Sequence, residues 1–184
     1  MRIILLIFFF LFHNSVNASI KTNIIENLKL TENFKFNFVQ KIGKKSEKGE
    51  CTIAYPKKIF CKYEDRYNKI LVSNGKSLVI NSDRSNQYYR YSLEKTPLNL
   101  ILDKKFLINK MTDSESLSNS FSNYSFKIIY EKTSINIFFD KKTLKLIGWT
   151  TNDIYQNKVE TRISNVENNL VINNNIFKIQ NYIN

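Results

Sequence analysis

Cys51 and Cys61 are the only cysteines in a chain of 184 residues, and nine residues separate them. Two thiols can bind a metal, exchange with another disulfide, or close on each other. A metal site needs further ligands, and the sequence has a single histidine, His13. If residues 1–18 are removed, as their pattern indicates below, no histidine remains. That excludes Ser-His-Asp and Cys-His catalysis, histidine acid–base chemistry near neutral pH, and nearly every catalytic zinc site. Glu64-Asp65 reads as a solvated strand end, and no pair of carboxylates stands out for glycoside hydrolysis. Lys44-Lys45 with Lys48, and Lys57-Lys58, form basic clusters at turns, either solvated edges or docking patches. Tyr88-Tyr89-Arg90-Tyr91 interleaves rings and charge in the manner of single-strand nucleic-acid binders. With no Gly-rich phosphate loop, the reading is of a non-enzymatic protein: no catalytic residue, no cofactor and no metal.

The formal charge of +12 points first to nucleic acid, an anionic membrane or an acidic partner. Its make-up favours a plainer origin. Of the 28 basic residues 23 are Lys and 5 are Arg, in a chain with 24 Ile and 25 Asn. That bias looks like AT-rich coding rather than selection of the Arg forks that phosphate recognition favours. Residues 1–18 have the pattern of a secretory signal. Arg2 is the positive start, Ile3 to Phe12 are ten consecutive apolar residues, and Val16-Asn17-Ala18 offers cleavage after Ala18. Ten helical residues cover only half of a ~30 Å hydrocarbon core. Position 19 is Ser, so the exported chain lacks a lipid-bearing cysteine. What remains, 19–184, is expected to be a single domain in an oxidising compartment where nucleic acid is not a partner. It keeps 21 aromatic residues: 10 Phe, 10 Tyr and Trp149.

The elements that would position these groups are mostly period-2. Ser19 to Thr31 is the N-terminal helix candidate, with Ile20, Ile24, Ile25 and Leu28 at helical spacing. Asn33 to Ile42 alternates so strictly that Phe34, Phe36 and Phe38 share one face of a strand. Cys51 to Tyr55 and Ile59 to Glu64 form a hairpin around Pro56-Lys57. Asn74-Gly75 suggests a type I′ turn between Lys69–Ser73 and Lys76–Ser82. Gln87 to Leu93 alternates again. Thr96-Pro97 opens a short helix through Leu102. Met111 to Asn123 reads as a polar loop with room for a short strand. Further strands run from Tyr124 to Glu131, Ser134 to Asp140, Leu144 to Thr151, Lys158 to Glu167 and Phe177 to Asn181. Roughly ten sequential antiparallel strands with two helices make the fold class all-β with accessory helices, a curled sheet or open barrel.

A three-residue loop at Tyr55 to Lys57 sets Cys51 directly opposite Cys61. Two cysteines in an exported chain then read as a cross-strand disulfide, stabilising by roughly 2 to 3 kcal/mol in the chain-entropy model. The concave face carries more apolar surface than one small core requires. A ligand pocket and a filled barrel both account for it.

The order of motifs resembles the outer-membrane lipoprotein carrier family, LolA. Phe34-Lys35-Phe36-Asn37-Phe38-Val39-Gln40-Lys41 is similar to its first strand, and Gly49 to Tyr63 to its Gly-strand-Pro-strand hairpin. Leu71-Val72-Ser73-Asn74-Gly75-Lys76-Ser77-Leu78 resembles its Asp-Gly-Lys turn, and Thr96 to Leu102 its Thr-Pro helix. Phe139-Asp140 through Leu146, Trp149 and Asp153 is similar to its closing strands.

The resemblance implies an unclosed antiparallel half-barrel under a helical lid. It also implies a periplasmic monomer that takes lipoproteins from an inner-membrane ABC-type release complex and passes them to an outer-membrane acceptor. Phe34, Phe36, Phe38, Ile53, Ile59 and Tyr63 would line the acyl-chain cavity or support its wall. Leu98, Ile101 and Leu102 would form the lid. Where the family has an Arg that latches the lid, this chain has Tyr55. Cys51 and Cys61 stand where the family commonly has Leu and Trp.

Overall fold

The computed structural model describes residues 19–84, 87–114, 117–131, 133–153 and 155–183. The expected signal segment and its cleavage site lie outside the described residues. The sheet is built around β1 (Asn33–Ile42), whose alternation takes effect as read: Phe34, Phe36 and Phe38 are buried while Asn37 and Val39 face out. On one side of β1 follow β2 (Lys45–Ala54), β3 (Lys58–Tyr63), β4 (Ile70–Asn74), β5 (Ser77–Asn81) and β6 (Tyr89–Ser92). After β6 the chain leaves the sheet for α2 (Leu98–Leu102) and α3 (Lys104–Asp113). It returns as β7 (Ser118–Asn119), β8 (Asn123–Tyr130), β9 (Thr133–Asp140), β10 (Leu146–Asn152) and β11 (Lys158–Asn168). The order across the single sheet is β6-β5-β4-β3-β2-β1-β11-β10-β9-β8-β7. All its pairs are antiparallel, and β6 and β7 are its two edges, so the sheet is curled but not closed.

Register shifts between Lys35 and Asn37 opposite β11, and between Leu146 and Gly148 opposite β9, add local twist to the centre and flank of the sheet. The helices occupy its concave side. α1 (Ile20–Leu30) is opened by Ser19, whose hydroxyl accepts from the Thr22 N–H, and buries Ile24, Ile25 and Leu28 while Ile20 stays exposed. α1 and α3 cap each other's C-termini. Lys21 Nζ donates to the carbonyls of Thr112 and Ser114 (2.7 Å each), and Lys104 Nζ to those of Lys29 and Thr31 (3.0 and 2.9 Å). Cationic side chains thereby satisfy carbonyls that a helix end leaves without partners.

Several expectations about individual elements are corrected. Phe177 to Asn181 is not a strand but part of two 3-10 turns, Asn174–Phe177 and Ile179–Tyr182. Asn173 caps the first through its side chain, and the turns bury Phe177 and Ile179, the latter with Val72 and Val79 on the convex face. Asn74-Gly75 is not a type I′ turn. Only Gly75 has positive φ (97°), and the Asn74 side chain instead accepts from the N–H groups of Lys76 and Ser77. Met111 to Asp113 belong to α3, a helix that the sequence reading did not assign. Lys45 and Lys48 lie on β2 rather than in a turn.

In the β2–β3 hairpin Cys51 faces Cys61, and the two form a disulfide with Cα atoms 4.1 Å apart. Gly49, opposite Phe38 and Tyr63, lets the sheet admit both rings, whose centroids meet edge-on at 5.1 Å. A Cβ on Gly49 would run into the Lys62 carbonyl oxygen and the Phe38 ring at 2.9 Å. Gly49→Ala should therefore cost about 1 to 3 kcal/mol, read as a lowered urea midpoint; an unchanged midpoint contradicts this packing. Alkylation without reductant should label neither cysteine by mass spectrometry, and two labelled thiols would refute the disulfide.

Candidate functional site

The concave face and α2 bound a partly open cavity of about 330 Å³. Strand parity decides its lining. On β1 the residues are Phe36, Phe38, Gln40 and Ile42, and on β3 Ile59, Cys61 and Tyr63. Leu98 and Ile101 of α2 form the roof. Trp149 of β10 closes one wall, edge-on to Phe36 with ring centroids 6.2 Å apart and planes at 85°. The Cys51–Cys61 bridge lies in the floor, so the disulfide is part of the cavity surface.

The residues singled out from sequence divide into two sets. Phe36, Phe38, Ile59 and Tyr63 line this cavity. Phe34 and Ile53 do not. They share a register row with Ile59, Phe34 facing Ile53 and Ile53 facing Ile59, and only the Ile59 end of that row reaches the cavity. Ile24 and Leu28 of α1 close over Phe34, which stacks on Phe36 at 5.2 Å and borders a separate hollow of only about 40 Å³. Leu98 and Ile101 face the cavity, whereas Leu102 is fully buried in the core beside it. Tyr55 is not among the cavity-lining residues and packs against the core that also holds Leu100, Ile101 and Leu102 of α2. Its ring lies 6.0 Å from that of Phe34 and 5.5 Å from the Lys104 ammonium, and burial pushes its phenol well above the usual tyrosine range.

The hairpin tip holds the roof through Lys57, which the sequence reading placed in the turn and in a basic cluster without assigning it a role at the roof. The Lys57 N–H donates to the Leu102 carbonyl (3.0 Å), and Lys57 Nζ pairs with Asp103 Oδ2 at 3.2 Å. Asp103 Oδ1 accepts from the Phe106 N–H and so caps α3. One carboxylate thus joins the hairpin, the end of α2 and the start of α3. Lys57 is fixed from below as well: the hydroxyl of buried Ser73 donates to its carbonyl (3.1 Å) and accepts from the Gly75 N–H (3.0 Å).

The cavity is apolar beneath α2 and polar towards the ends of β1 and β2. There Lys69 Nζ lies 2.9 Å from both oxygens of Glu47 and 3.9 Å from the centroid of the Tyr63 ring. Lys45 reaches the same carboxylate at 2.6 Å. Burial alone would raise the Glu47 carboxyl, but hydrogen bonds and charge from Lys45 and Lys69 outweigh it and hold the group below its ordinary value. Burial, with the Glu47 and Asp65 charges adding to it, pushes the Tyr63 phenol well above its usual range. Among the described residues there is no group of His, Cys, Asp and Glu placed to hold a metal, and no helix is long and apolar enough to cross a membrane.

An open antiparallel sheet curled around an apolar, helix-roofed cavity defines a binding scaffold for an apolar ligand. The chain belongs to the LolA family: the family model for the outer membrane lipoprotein carrier protein LolA matches residues 29–180. No match is found among curated proteins. Among solved structures, it is similar to an uncharacterized conserved protein from Thermus thermophilus (6% identity, 85% of this chain and 90% of that one, TM-score 0.52). It is also similar to a DUF1329 family protein from Desulfovibrio piger (8%, 89% and 96%, TM-score 0.50). A LolA superfamily protein from Nitrosomonas europaea matches with 8% identity, 88% and 98% coverage, and TM-score 0.47.

Acid should act on the Glu47 cluster. Because the folded carboxyl is held below its unfolded value of 4.5, the stability it contributes is complete above that pH and is lost as pH falls through the folded value. The urea midpoint of the native protein should drop more between about pH 6 and pH 3 than that of Glu47→Gln. Equal drops would show that the carboxylate is not held this way.

Proposed function

We propose that this protein is a periplasmic carrier that buries the acyl chains of lipoproteins. It would receive them from an inner-membrane ABC-type release complex and deliver them to an outer-membrane acceptor, acting as a monomer without catalysis or cofactor. In this reading residues 1–18 direct export and are cleaved after Ala18. The observation that carries it is the apolar cavity roofed by Leu98 and Ile101.

The physical case is one of transfer free energy. Each buried CH₂ of an acyl chain gains about 0.8 kcal/mol, so two or three long chains cannot cross water unaided at a useful rate. Aromatic walls such as Phe36, Phe38 and Trp149 supply apolar contact with little directional demand, which suits a ligand that must also be released. At about 330 Å³ the cavity stands at the small end of the roughly 300 to 1,000 Å³ typical of ligand pockets. Long chains therefore require α2 to move. The roof is held to the hairpin by one backbone hydrogen bond and one half-exposed ion pair. An exposed ion pair contributes about 0 to 1 kcal/mol; lifting also uncovers buried Leu100, Ile101 and Leu102, apolar surface that lipid contact would cover again. The disulfide would keep β2 and β3 in register while this happens.

An apolar fluorescent probe should enter the cavity, be displaced by an acylated peptide, and respond little to salt. Leu98→Glu, which puts a charge under the roof, should weaken probe binding by tenfold or more (about 1.4 kcal/mol) and impair transfer of a purified lipoprotein. Unchanged transfer would argue against the roof assignment. Absence of probe uptake, together with binding to anionic vesicles that collapses in salt, would replace the carrier by a surface-docking protein. Displacement by a glycolipid but not by acylated peptide would redirect the reading to another amphiphile.

A further inference from the structure

Resting on the carrier reading, we propose that the Glu47–Lys69 end of the cavity is a head-group subsite. It takes a polar junction without net charge, a hydrogen-bond donor beside an acceptor, such as the amide linkage of an acylated peptide. The acyl chain then runs from there under α2.

Measured against apolar side chains of the same volume, the intact ion pair gives the fold little advantage. Glu47 and Lys69 are 14% and 20% exposed, and their cavity neighbours include Phe38, Ile42 and Val159. Withdrawing two charges from water costs several kcal/mol, and apolar replacements of similar volume are often neutral or stabilising. Here the pair instead gives an otherwise apolar groove one polar end, and with it a direction. Tyr63 fixes the pair in place. Its ring lies under the Lys69 ammonium, and its N–H donates to the Lys69 carbonyl (2.9 Å). The pair also has hydrogen-bonding capacity to spare. Lys69 carries three N–H donors and gives two to Glu47; Glu47 Oε1 is also taken by Lys45, while Oε2, bonded to Lys69, can accept a further bond.

Charge selects the head group. Lys45 also reaches Glu47 (2.6 Å) but is 68% exposed, so solvent screens its charge. The buried-side members Glu47 and Lys69 lie within ion-pair distance, so a ligand anion drawn to Lys69 meets Glu47 at close range, and a ligand cation drawn to Glu47 meets Lys69. An amide avoids both conflicts, since its N–H can donate to Glu47 and its C=O can accept from Lys69. Specificity arises as much from the two repulsions as from the two hydrogen bonds. The remaining carboxylate of the lining, Asp153, accepts from the N–H groups of Tyr155 and Asn157 and from the Asn157 side chain, so its hydrogen-bonding oxygens are already engaged.

Trp149 makes the inference testable, because it lines the cavity and is the only tryptophan in the sequence. Three ligands with the same brominated chain are titrated against its fluorescence: an N-acyl glycinamide, an alkyl sulfonate and a primary alkylamine. The amide should quench at concentrations about tenfold lower than either charged ligand. Glu47→Gln should shift the preference to the sulfonate and Lys69→Met to the amine. Equal quenching by all three in the native protein overturns the head-group subsite and leaves the carrier reading standing. A ranking unchanged in both variants also overturns it. Quenching by none overturns both readings. The native ranking needs no variant, so the inference stays testable if either substitution prevents folding.

Discussion

A sheet that curls an aromatic face inward has to cover that face, and most of the structure follows from how it does so. Closing into a full barrel would bury Phe36, Phe38 and Trp149 permanently. Leaving the sheet open would expose them to water at about 25 cal/mol per Å² of apolar surface. The chain takes neither course. At the gap between its two edge strands it departs from the sheet as α2 and α3 and lays them across the concave side. The cover is therefore helical and separate from the ladder of strand hydrogen bonds. It can shift without unzipping a strand pair, which a closed barrel could not allow.

This arrangement separates rigid parts from adjustable ones. The floor is fixed by continuous antiparallel pairing and by the Cys51–Cys61 bridge between adjacent strands. The helices bury apolar residues in the common core, and their polar ties are lysines reaching carbonyls and the Asp103 carboxylate shared between Lys57 and the α3 cap. Lysine provides a flexible stem and a point charge, with no planar fork to impose one geometry. A contact network of that kind tolerates small displacements of the roof. It also puts the excess of Lys over Arg in a different light: whatever its coding origin, several of these lysines are structural.

Much of the fold was legible because strand patterns are local. The alternation at Phe34, Phe36 and Phe38 specified the inward face, and a three-residue loop at Pro56 specified that Cys51 meets Cys61. The failures were of two kinds. α3 was missed because Lys104–Asp113 is mostly polar, with a helix start marked only by Asp103, which reads equally as a loop residue. Phe177 and Ile179 alternate like a strand, yet their spacing arises from two 3-10 turns each burying one side chain. The polar end of the cavity was beyond local reading altogether. Glu47 on β2 and Lys69 beside β4 are separated by β3 and meet across Tyr63 only once the sheet curls. Phe34 and Ile53 share the inward face with the cavity residues. Parity cannot say that α1 covers their end of it.

The seam between β1 and β11 carries a consequence for how the protein comes to be folded. Phe34 faces Asn168 and Ile42 faces Val159, so the middle of the sheet joins the first strand to the last. Each half can pair locally, but the two halves cannot join until nearly all of the chain is present, and contacts of such sequence separation fold slowly. A chain threaded N-terminus first through a membrane would emerge with its central strand still lacking one neighbour. In the proposed reading of an exported carrier, the seam that completes the concave wall cannot set before β11 has crossed.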